Sequence, residues 1–156
     1  MTDSAEQAAR DYDDILLALT LWREARGEGI EGMRAVAHVI ANRVAAGWGD
    51  RHAIITALNQ FTSMTGIGDS QTILWPTSTD PSFIAALSVV AALDSGTDTD
   101  PTNGALYYAR LSQVTSTWFK THIINGMDRC AVIGHHTFFK PREEVVPAYT
   151  PGKHGI

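Results

Sequence analysis

Residues 15–22 (ILLALTLW) form an eight-residue run with one hydroxyl and no charge, and REARGEG follows at once. A segment apolar on nearly every helical face is a helix buried all round, not one lying on a surface. The spacing predicts this core helix over 12–26, interrupted by Gly27 and Gly29. A second helix is expected over 30–46, with Met33, Val36, Ala37, Ile40 and Val44 along one face and Gly47 at its close. A short amphipathic piece over 53–58 precedes a long Gly/Ser/Thr/Pro-rich loop over 61–81 that carries Trp75. Pro81 suits the first turn of a third helix over 82–94.

Beyond SGTDTDPTNG the pattern changes. ALYYA (105–109), CAVIG (130–134) and HTFFK (136–140) are short segments with strand character, so a small sheet or hairpin is expected. The fold class is α+β, mostly helical. At 156 residues one domain is expected, its core about 12–140 and residues 1–11 and 141–156 peripheral. The net charge of −5 and the lack of a Lys/Arg cluster argue against a nucleic-acid partner and against stable membrane association. A single cysteine, Cys130, excludes an intramolecular disulfide.

Three glutamates, Glu24, Glu28 and Glu31, fall within eight residues of one another. On a helix Glu24 lies over Leu21 and Leu17, so its face is apolar for two turns before it. Partial burial and the negative end of the helix dipole both push a carboxyl pKa upward, as a general acid requires. A rise from about 4.3 to roughly 6 needs only about 2 to 3 kcal/mol of differential solvation. Arg23 and Arg26 oppose this if they point at Glu24. Glu31 sits where a helix start favours a negative side chain. The plain alternative for all three is a set of solvated charges at helix ends.

WREARGEGIEGMRAVAHVIANRV, QFTSM, DPTNGALYYA and IGHHTFF follow one another in an order that resembles the catalytic domain of the SleB/CwlJ family of cell wall hydrolases, which includes spore cortex-lytic enzymes and phage endolysin relatives. The resemblance covers residues 15–140 and implies a lysozyme-like, lytic-transglycosylase-like domain acting on peptidoglycan glycan strands between N-acetylmuramic acid and N-acetylglucosamine. It implies that Glu24, the first acid of EARGE, is the catalytic acid and base. The family mostly has an aromatic-glycine pair before that motif, where this chain has Trp22 and Arg23. Thr62 stands where the family commonly has serine.

The resemblance favours a lytic transglycosylase, in which the muramic 6-hydroxyl replaces the second carboxylate of ordinary glycosidases. Hydrolysis on the same fold and a non-catalytic glycan-binding or structural role are the alternatives. Candidate substrate contacts are Glu28, Gln60, Phe61, Asn103, Tyr107, Tyr108 and His136. Several have a second reading: Glu28 supports the glycine turn, Phe61 joins Phe138 and Phe139 in the core, Asn103 serves a turn, and His136, like His38, is a hydrogen-bonded structural histidine. On a strand, Tyr107 and Tyr108 face opposite ways, one into the core and the other into the cleft. No metal or other cofactor is expected, since no HExxH or CxxC spacing occurs. A Cys130/His135 or Cys130/His136 peptidase pair lacks the electropositive setting that a reactive thiol needs. The expected partner is peptidoglycan glycan, the expected state a monomer. Synthesis in the cytoplasm without a signal peptide suggests a phage or prophage endolysin that reaches the wall after holin-type release.

Overall fold

A computed structural model describes residues 3–57 and 60–143. The expected end of the short helix at Leu58 and the chain beyond residue 143 lie outside the described residues. Helix α1 spans Asp3–Ala25, much longer than the predicted 12–26. Its first half is exposed, Ile15 included at 52%, and burial starts at Leu16 and is complete by Leu17. The buried-all-round segment is thus shorter than the apolar run, because the N-terminal turns project past the other helices. A 3-10 turn, Arg26–Glu28, and Gly29 at φ 71 redirect the chain into α2, Gly29–Ala45. Only glycine adopts that φ without strain, which is why the two helices can fold back on each other here.

Helix α3 (Arg51–Thr56) is capped by Asp50, and the long loop contains α4 (Thr62–Thr65) and a 3-10 turn at Ser70–Ile73. Helix α5 (Pro81–Asp94) has Pro81 in its first turn, and the Asp80 carboxylate accepts from the amides of Ser82 and Phe83. Helices α1, α2 and α5 pack around Leu17, Leu21, Met33, Val36, Ile40 and Val90. Arg51 ties the far ends together, pairing with Asp14 on α1 and Asp94 on α5.

Strand β1 (Tyr107–Ala109), a short α6 (Thr117–Phe119) running into a π-turn at Lys120–Ile124, β2 (Asp128–Ile133) and β3 (His136–Lys140) complete the fold. The sheet is antiparallel in the order β1-β3-β2, with Tyr108 opposite Phe138 and a bulge in β2 between Arg129 and Ala131. Phe138 packs with Ala35 and Val39, so the sheet rests on α2. The approach to β1 is fixed from the same helix. Asp98 accepts from Arg34 and pairs with His38, and Asn42 donates to Asp100 and to the Ala105 carbonyl. His38 is therefore the hydrogen-bonded structural residue expected.

The fold is lysozyme-like: mostly helical with a small sheet, as the fold class predicts. No helix among the described residues is long and apolar enough to cross a membrane. Leu21 is wholly buried between the three helices. Leu21→Ala should lower unfolding free energy by about 2–5 kcal/mol in urea titrations, through lost transfer energy and a cavity.

Candidate active site

Glu24 occupies the last turn of α1, one and two turns beyond the fully buried Leu21 and Leu17. Its Oε1 accepts from Ser63 Oγ at 2.6 Å and its Oε2 from Tyr108 OH at 3.1 Å. Two elements far apart in sequence, α4 and β1, thus fix the carboxyl plane. Burial pushes the Glu24 carboxyl above the usual carboxylate range; the two hydroxyl bonds oppose this, and the charge of Asp69 adds to it. Tyr108 is partly buried and lies beside Glu24; together these push its phenol upward, so it stays protonated and a donor.

Arg23 points away from this carboxyl. Its Nε and Nη2 donate to the Leu74 carbonyl, Nη2 also to Thr72, and Nη1 to the Ser63 carbonyl and to Met64 Sδ, while Trp75 covers the guanidinium at 4.4 Å. Beyond Phe61 and Met64, which pack on the helical core, the long loop leaves Ile67, Ile73, Leu74 and Trp75 exposed, so Arg23 is what docks this later part against α1. Docking the loop also delivers Ser63 to Glu24. Arg26 turns the other way, donating to the Trp22 carbonyl and lying over its ring at 3.9 Å.

Glu28 lies on the 3-10 turn that leads from α1 into α2, and its role is mechanical. Its Oε2 accepts from the His135 amide, and its Oε1 takes bonds from Arg110 and the His135 ring. The side chain is 7% exposed. Burial alone would raise its carboxyl, but the bonds from the His135 amide and ring outweigh it and hold the group below the usual range. The two-residue β2–β3 turn, Gly134 and His135, is thereby clamped onto the end of α1. Gly134 has φ 58, and any Cβ there would collide with the Glu28 carboxylate, so glycine is required on both counts.

Two clefts meet at Glu24. One, of about 780 Å³, includes Arg23, Arg26, Glu28, Gln71, Arg110 and His136. The other, of about 630 Å³, includes Arg43, Trp48, Gln60, Tyr107, Trp118 and Phe119. Glu24, Tyr108, Ala109 and Val114 line both, so a single groove passes over the buried acid. His136 is edge-on to Tyr108 at 5.1 Å, and burial holds its imidazole below the usual range, neutral, with Nδ1 unpartnered. No group of His, Cys, Asp or Glu among the described residues could hold a metal ion. Burial raises the Cys130 thiol, the opposite of an activated nucleophile.

Several expected substrate contacts are placed otherwise. Phe61 is 1% exposed and belongs to the helical core, because the loop turns it inward under α4. Asn103 lines neither cleft: it sits at φ 58 in a turn and donates to the Cys130 carbonyl, while its own carbonyl accepts from Lys140. Glu28 borders the groove but has both oxygens engaged. Tyr107 and Tyr108 do face opposite ways, yet both border the groove, since β1 lies at the junction; Tyr107 packs edge-on against Trp48. Gln60 is exposed in the second cleft.

Ser63 and Arg43 escape the sequence reading. Thr62 fills the family's usual serine position and donates to Asp69 instead, while the next hydroxyl reaches Glu24. Arg43 had a signal: it falls three residues after Ile40 on the buried face of α2, and it is buried there among Trp48, Phe61 and Tyr107. Hydrogen bonds donated to a carboxylate favour its charged form, so removing one raises the pKa further. Activity that needs protonated Glu24 falls as pH rises through that pKa. Ser63→Ala should therefore move the basic limb of the kcat/KM profile to higher pH and lower kcat by about three- to tenfold through lost orientation.

A family model described as Cell Wall Hydrolase matches residues 27–139. The match begins just past Glu24 and contains Glu28. The spore cortex-lytic enzyme of Bacillus cereus is 32% identical over 125 residues, which are 80% of this chain and 43% of that protein. The Bacillus subtilis spore cortex-lytic enzyme is 32% identical over 79% of this chain and 36% of its own length. The chain thus spans less than half the length of these curated relatives. Among solved structures, the catalytic domain of the germination-specific lytic transglycosylase SleB from Bacillus anthracis superposes with a TM-score of 0.62 at 32% identity, covering 82% of this chain and 93% of that one. The Bacillus cereus SleB catalytic domain gives 0.60 at 33% identity, covering 83% and 91%. The chain belongs to the SleB/CwlJ-type cell wall hydrolase family.

Proposed function

We propose that this protein cleaves the β-1,4 bond between N-acetylmuramic acid and N-acetylglucosamine in peptidoglycan as a lytic transglycosylase, with Glu24 as acid and then as base. One observation carries the reading: of the two carboxyls lining the groove, Glu28 is held by a guanidinium, an imidazole and a backbone amide, whereas Glu24, half-buried at the junction of the two clefts, meets only two neutral hydroxyls.

Protonated Glu24 gives its proton to the glycosidic oxygen as the C1–O bond breaks and oxocarbenium character develops at C1. The resulting carboxylate is met by the Ser63 and Tyr108 hydroxyls, whose hydrogen bonds strengthen as charge appears. Inverting and retaining glycosidases complete the reaction with a second free carboxylate. Here the ionised Glu24 instead takes the proton of the muramic 6-hydroxyl as that oxygen closes on C1. The product is a 1,6-anhydro sugar and the acid is regenerated. The aromatic side chains of the second cleft offer flat apolar surfaces to sugar rings, and Gln60 and the hydroxyls offer polar contacts.

Glu24→Gln keeps the shape and both hydroxyl contacts but removes the proton. It should lower the rate of turbidity loss of purified walls by roughly 10²–10⁴-fold, with an unchanged thermal transition. Mass spectrometry of muropeptides released by the unsubstituted protein should show anhydro ends. Reducing ends would assign water as the acceptor, and full activity in folded Glu24→Gln would overturn the role of Glu24.

A further inference from the structure

The two arms of the groove differ in charge. Arg23, Arg26 and Arg110 line the first, beside two carboxyls: Glu28, which already bonds Arg110, and Glu24, whose carboxyl burial pushes upward. Arg23 and Arg26 make no ion pair among the described residues: Arg23 donates to carbonyls and a sulfur, and Arg26 gives one N–H to the Trp22 carbonyl. Arg110 engages Glu28 through Nη2, and its Nε and Nη1 have no partner among the described residues. The second arm presents aromatic rings, amides and hydroxyls, and its one arginine, Arg43, is sunk beneath the rings of Trp48 and Tyr107.

Such a concentration of guanidinium stands out in a chain of net charge −5. A neutral sugar ring does not call for it. Guanidinium groups match carboxylates in geometry as well as charge, and in a recess they are less screened than on open surface. On the glycan strand, the group with that chemistry is the substituent on C3 of muramic acid, a lactyl group ending in a carboxylate or in a peptide stem that carries carboxylates.

We propose that the arm lined by Arg23, Arg26 and Arg110 is an anion subsite that binds a carboxylate of this muramic acid substituent. Arg26 and Arg110 supply the free N–H donors, and Arg23 adds positive charge that the Asp69 carboxylate partly offsets. The subsite rests on the glycan-cleaving function proposed above. It makes strands bearing free carboxylates the preferred substrate class over strands whose carboxylates are amidated.

The test compares the unsubstituted protein, Arg26→Gln and Arg26→Lys on three strand preparations: native stems, the same stems with carboxylates amidated, and strands stripped of stems by an amidase to expose the lactyl carboxylate. The unsubstituted protein should show a kcat/KM for native strands about tenfold or more above that for amidated ones. Added salt should narrow the ratio, Arg26→Gln should bring it toward unity, and Arg26→Lys should keep most of it. Because the lactyl carboxyl of native strands is tied up in the amide to the stem, stripped strands cut as fast as native ones show that the subsite also takes the lactyl carboxylate; stripped strands cut as slowly as amidated ones confine it to carboxylates of the stem. Equal rates on native and amidated strands, or a ratio that Arg26→Gln leaves unchanged, overturn the subsite while the glycan-cleaving function stands. No cleavage of any preparation by the folded unsubstituted protein overturns both.

Discussion

The carboxyl of Glu24 lies between two hydroxyls, Ser63 Oγ and Tyr108 OH, that come from elements far apart in sequence, α4 and β1. Everything around it serves to bring those two groups to the end of α1 and to keep water from the acid. The apolar run before it matters for the same reason. Leu17 and Leu21 anchor α1 in the core, so the next residue on that face arrives already partly dehydrated at the point where the helix stops.

The neighbours of Glu24 in sequence are its tethers. Arg23 holds the Ser63 loop by four carbonyl bonds, to Ser63, Thr72 and twice to Leu74. Glu28 holds the β2–β3 turn through the His135 amide and ring. That hairpin carries β3, which pairs with β1 and so positions Tyr108. A single short motif, WREARGE, therefore contains the acid and the two side chains that assemble its surroundings. Arg23 is the support of the part of the loop beyond Met64, which leaves its apolar side chains exposed. The glycines have matching duties: Gly29 turns the chain out of the motif, and Gly134 leaves room for the Glu28 carboxylate.

Periodicity was enough to locate α2, whose apolar residues fall at helical spacing, while α5 was legible from Pro81 before a continuous apolar run and the strands from their short aromatic segments. The length of α1 was not legible, because its exposed N-terminal turns carry no apolar stripe to reveal them. Glu24 was legible from its position over Leu17 and Leu21. Ser63 and Arg110 were not, because their importance comes from tertiary approach to α1 and no local spacing records it. Phe61 and Asn103 show the converse. Both sit inside recognisable motifs, and both turn out to hold the backbone in place, one by core packing and the other by a left-handed turn pinned to Cys130.

A half-buried Glu24 whose carboxyl is pushed above the ordinary range is what separates a one-acid mechanism from a surface carboxylate that merely lines a groove. Its ionisation can be followed by carbon NMR of protein labelled at the glutamate side-chain carboxyl, with Glu24→Gln identifying the resonance. A midpoint clearly above the ordinary glutamate value of about 4.3 is expected, because burial outweighs the two hydroxyl bonds. A midpoint at or below that value would mean that Glu24 is ionised at neutral pH and cannot be the proton donor.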